Sequence, residues 1–208
     1  MPCARLGRFV TVTFPCFYAD GIGTEGICMT DVIGKLTCEQ ALEIVERLCR
    51  KTGDVRDAIV AEAMSLLTEF SLDEVAEEVF DALDLIDVQD CFDQAGSSRD
   101  GSASPDEVAV DIIEEELQPF FDQVERYHEL RMSEQEATYC MAVILGIYRF
   151  AHESKSEFKQ LADDAPAQFA HSLLEDWLAR KPPRPTIGAM DAFMRERCAK
   201  WAGWMKEE

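Results

Sequence analysis

Aspartates recur at 81, 84, 87, 90 and 93, and Glu125 and His128 stand in the spacing Glu-x-x-His. Carboxylates are the hard oxygen ligands that calcium and magnesium take. An EF-hand loop, however, sets them at alternate positions around a central glycine, and Asp81, Asp84, Asp87, Asp90 and Asp93 follow a three-residue step instead. That step reads more simply as a solvated, strongly acidic helix face to which a basic surface is complementary. The Glu125/His128 pair is half of the doubled motif with which di-iron bundles hold their metals. A second copy is missing, because Gln168 precedes His171 and Arg149 precedes His152 at the matching position.

Other motifs carry less. Gly21, Gly23 and Gly26 spell GxGxxG, but a dinucleotide site needs a strand ending just before the first glycine, and Pro15 to Asp20 intervene. The eight cysteines form no CxxC pair and fall mostly inside helical patterns, where the thiol behaves as a small buried hydrophobe. Neither a zinc site nor a disulfide framework is expected, and free thiols fit a reducing cytoplasm. Cys38, in the first turn of a helix, has Glu39 beside it and no base nearby, so an activated thiolate is not expected there. No nucleophile elbow or phosphate loop in context occurs, and no cofactor is implied.

The 208 residues hold 41 acidic and 20 basic side chains, a net charge of −21. Direct nucleic-acid binding, which needs clustered Lys and Arg, is not expected. The excess is concentrated: residues 69–117 carry 17 acids against the single base Arg99.

What must position these groups is helical. Ala137 to Phe150 is apolar on nearly every face, so the helix over 133–153 wants neighbours all round; it is too short and too interrupted to span a bilayer. Thr37 with Gln40, Ser71 with Glu74, Ser104 with Glu107 and Ser133 with Glu136 each write a capping box before an apolar face. Their spacing of roughly thirty residues also fits degenerate helical-hairpin repeats. A first hairpin is expected from Thr37–Arg50, with Ala41, Leu42, Val45 and Leu48 on one face, and a second helix opened by Asp54. A third helix runs from Ser71 to Leu83, and the aspartate series continues it. Gly96–Ser104 reads as a flexible loop. Pro105 opens a long helix in which Pro119 is expected to give a kink or restart. Pro182 to Pro185 form a stiff linker before a last Met- and Trp-rich helix, whose stripe packs on the protein's own body.

The expected fold is all-α, a multi-helix bundle or short α-solenoid of about eight helices around the buried helix 133–153. Residues 1–30 read as a poorly structured or non-native extension, 31–181 as the helical domain, and 182–208 as the linked C-terminal helix. The expected function is that of a cytoplasmic interaction module using Asp81, Asp84, Asp87, Asp90 and Asp93 against a basic protein partner, with no membrane contact. Homo-oligomerisation is a further expectation, and a carboxylate-rich metal-binding protein or enzyme built on Glu125 and His128 is the alternative.

Overall fold

The computed structural model describes residues 34–50, 53–98 and 101–206. The expectations placed on residues 1–30, including the GxGxxG glycines, lie outside these. Contacts divide the chain into two units, Met1–Glu62 and Ala63–Glu208.

In the first unit, α1 (Cys38–Cys49) follows a complete Thr37/Gln40 capping box. The helix α2 (Gly53–Thr68) runs across the division. Neither helix buries a residue: Leu42 and Val45, expected on one apolar face of the first helix, are open to solvent.

The second unit is a bundle. Its centre is α6 (Ser133–Glu153), on which α3 (Leu72–Asp84), α5 (Pro105–Glu129), α7 (Ala165–Ala179) and α8 (Arg184–Arg197) all pack. In a solenoid each hairpin would touch only its sequence neighbours; here elements far apart in the chain share one central helix. The sequence explains the arrangement. Ala142, Val143, Ile144 and Ile147 lie on different sides of α6, and each is fully buried. Val79 and Leu83 reach it from α3, Ile113 and Leu117 from α5, Leu174 and Trp177 from α7, and Met190 and Met194 from α8. Each such side chain contributes about 1.5–3 kcal/mol on leaving water. No described helix is long and apolar enough to cross a membrane.

Three local expectations are corrected. The aspartate series does not lie along one helix, because α3 stops at Asp84 and α4 (Val88–Gln94) begins after Asp87. Gly96–Ser104 is not simply a loop: β1 (Gly96–Ser98) and β2 (Gly101–Ala103) pair antiparallel, with Gly96 opposite Ala103. The hydrogen-bonded helix α5 also continues through Pro119 without a restart. Pro119 and Glu115, whose carbonyl loses its partner, are both exposed, so water satisfies that oxygen.

The capping boxes divide in the same way. Ser104 accepts from the Glu107 amide while Glu107 reaches back to Ser104, but Ser71 makes no side-chain cap bond. Ser104→Ala is therefore expected to lower stability by about 1 kcal/mol, and Ser71→Ala by less than about 0.5 kcal/mol, measured by urea unfolding. Equal losses would contradict the assignment. Cys91, Cys140 and Cys198 are buried thiols, and burial pushes Cys198 up to about 12 and Cys140 higher still.

Candidate functional site

The acidic corner is built from the end of α3, three connecting residues and α4. α3 ends because Leu85 caps it, its amide bonding back to the Asp81 carbonyl, and Asp87 turns extended and accepts the Gln89 amide at 2.9 Å. Asp87 is thus the N-cap of α4, where a carboxylate both satisfies an orphan amide and meets the positive end of the helix dipole. Asp84 is half-buried and accepts a hydrogen bond from the Ser154 hydroxyl at the end of α6. Asp93 accepts from the Gln89 side chain at 2.8 Å. Asp81 and Asp90 are exposed, with no side-chain partner among the described residues. The structure thus separates the five aspartates: Asp84 ties the end of α3 to the Ser154 side chain, Asp87 caps α4, and Asp81, Asp90 and Asp93 present charge.

None of the five joins a salt bridge among the described residues. Two arginines that reach α3 are paired with its other acids: Arg149 with Glu77 at 2.6 Å and Arg197 with Asp73 at 2.7 Å. The Glu77 hydrogen bond holds the Arg149 guanidinium above its usual range. Set among these carboxylates are two side chains that sequence reasoning left out of the site. Leu85 is 83% exposed and Phe92 is 51% exposed. Asp81 stands one turn before Leu85, so the leucine projects beside unneutralised charge.

Glu125 and His128 are brought into a second cluster, together with two residues that the sequence did not link to them. Arg180, at the end of α7, donates through Nη2 to Glu125 and through Nη1 to Glu136 at 3.0 Å. His128 Nδ1 lies 3.3 Å from Glu136. Glu136 does not close a capping box. It is only 6% exposed and is the only buried charged residue among those described. The reason is the turn before it. α5 ends in a Schellman motif, with the Met132 amide bonded to the Tyr127 carbonyl and the Arg131 amide to that of His128, which puts Arg131 at φ 57°. Met132 is then forced into the cap position of α6, Ser133 becomes its first residue, and Glu136 turns inward. Lys181 repeats the left-handed conformation after α7, at φ 56°. Arg131, Lys181 and Ser133 line a cleft of about 230 Å³ beside the pair.

The chemistry of the second cluster follows from its charges. Two carboxylates, one of them buried, converge on a guanidinium, which occupies the place between Glu125 and Glu136 that a cation would seek. Among the described residues no three His, Cys, Asp or Glu side chains converge with metal-binding geometry. The network joins α5, α6 and α7 at one end of the bundle. Compared with known protein families, with characterised proteins and with solved structures, the chain matches none.

Proposed function

We propose that this protein is a cytoplasmic interaction module that holds a basic protein partner on the corner between α3 and α4. The observation that carries the reading is Leu85, almost fully exposed among carboxylates that no base within the described chain neutralises. Covering such a side chain contributes about 1.5–3 kcal/mol, and the surrounding charge speeds encounter with a positive surface. The partner's complementary feature is an apolar pocket for Leu85 and Phe92 rimmed by Lys or Arg. A second copy is a poor occupant of this corner, since it would set like charges face to face.

The test is a pull-down from native lysate by the full chain, at low and high salt, with three variants. Asp81→Asn/Asp90→Asn/Asp93→Asn removes charge without touching the structural aspartates, and Leu85→Ser removes the apolar anchor. Asp111→Asn, on α5, is the control. A partner of basic character that both corner variants lose and the control retains is expected. Retention that is indifferent to salt and to all three variants would contradict the proposal.

A further inference from the structure

A different surface carries a groove whose lining residues are not those of the acidic corner. One face of α7, together with Ile187 of α8 and the 3-10 turn Ala202–Lys206, encloses two adjoining clefts of about 380 and 410 Å³. Both are lined by His171, Glu175 and Trp204, so they form one groove with these three side chains at its middle. The first cleft has an apolar floor of Leu174, Leu178, Ile187 and Met205 and ends at Lys181. The second is lined by Asp164, Ala167, Gln168 and Ser172 as well.

Trp204 is firmly held. Its ring stacks on Trp201 with centroids 4.7 Å apart and planes 17° from parallel, and Trp201 is itself only 6% exposed. On another side the His171 ring meets Trp204 edge-on at 5.1 Å. Trp204 is half-buried, so its indole keeps contact with solvent. Glu175 stands beside it, largely exposed, and its one partner among the described residues is His171 at 3.5 Å.

We propose that this groove binds a small organic cation, an ammonium or guanidinium head on an aliphatic chain. An indole face attracts a cation through its ring quadrupole, and an adjacent carboxylate adds a charge-assisted hydrogen bond. The head therefore sits at Trp204 and Glu175. The aliphatic chain lies over Leu174, Leu178 and Ile187, where a concave apolar floor accepts it. Lys181 fixes the direction, because its charge repels the head from the far end of the first cleft, and Asp164 extends negative potential toward the near end.

The chain has three tryptophans, and Trp177 and Trp201 are buried, which leaves Trp204 as the natural reporter. The experiment titrates the full, 15N-labelled chain with n-hexylamine hydrochloride and, separately, n-hexanol at constant ionic strength. The three indole N–H resonances are followed, with Trp204 assigned through Trp204→Phe. The expected result is a saturable shift of the Trp204 resonance by hexylamine, with affinity about tenfold above that for hexanol. Glu175→Gln, at an exposed position that leaves folding intact, is expected to weaken hexylamine about tenfold and leave hexanol unchanged. A non-saturating shift, equal affinity for the alcohol, or hexylamine binding unchanged in a folded Glu175→Gln variant would overturn the proposal.

Discussion

Replacing Gly146 with alanine is expected to lower stability by about 3 kcal/mol or more, and the thermal midpoint by about 6–12 °C. The cause is the approach of α3 to α6. A Cβ at position 146 would stand 2.5 Å from Val79 Cβ and 2.6 Å from the Ala76 carbonyl oxygen. Neither neighbour can yield cheaply. Val79 is β-branched and stiff within its helix, and the Ala76 oxygen belongs to backbone that moves only with the whole of α3. The two helices must therefore separate, and Val79 and Leu83, both fully buried, lose contact with the core. Gly188, also helical but with nothing within 4 Å of an added Cβ, is the matched control. Gly188→Ala is expected to stabilise by about 0.5–1 kcal/mol, because alanine has less backbone freedom to lose in a helix. Thermal unfolding of both variants checks the pair of signs. A Gly146→Ala protein as stable as the parent would contradict the close α3–α6 packing.

Removing Arg180 is the second large effect. Arg180→Ala is expected to cost about 3–5 kcal/mol, because it leaves the buried Glu136 carboxylate with only His128. The wild-type pair itself is not thereby worth that amount, since burying both charges also costs desolvation. The double replacement Arg180→Met/Glu136→Leu separates the two quantities. It removes both charges, keeps apolar volume at the junction of α5, α6 and α7, and is expected to recover to within about 1 kcal/mol of the parent. Urea unfolding of Arg180→Met, Glu136→Leu and the double variant measures the coupling. A loss below about 1 kcal/mol in Arg180→Ala would mean that Glu136 is not held by this guanidinium.

The central helix was legible because burial on every side leaves a direct trace: a run of apolar residues with no polar face. Ser104 and Glu107 were legible for a similar reason, since a cap is a bond between near neighbours. Glu136 was misread despite an identical local pattern. Ser133 and Glu136 satisfy the capping-box spacing, but the Schellman turn at Arg131 shifts the helix start by one residue, and that turn uses arginine where glycine is usual. The partner that explains Glu136 is Arg180, and nothing in local spacing joins residues 44 apart in the chain. The regular step of the aspartates hid the break between α3 and α4, which became visible only through Asp87 acting as a cap. The hairpin at Gly96–Ala103 escaped because strands of three residues are too short to show alternation, and glycine and serine signal turns first. The Leu85 and Phe92 exposures could not be read from local spacing: only the fold shows that, among the described residues, both side chains stay open to solvent.

Under the proposed function, charge and an apolar anchor at the α3–α4 corner together hold a basic partner. Its most direct test is the dissociation constant of the partner recovered at low salt, measured by calorimetry across a range of sodium chloride for the wild type and for Asp81→Asn/Asp90→Asn/Asp93→Asn. Wild-type affinity is expected to fall steadily as salt rises, and the variant to bind more weakly with a shallower salt dependence. Coincident lines, with the variant as tight as the wild type at every salt concentration, would contradict it.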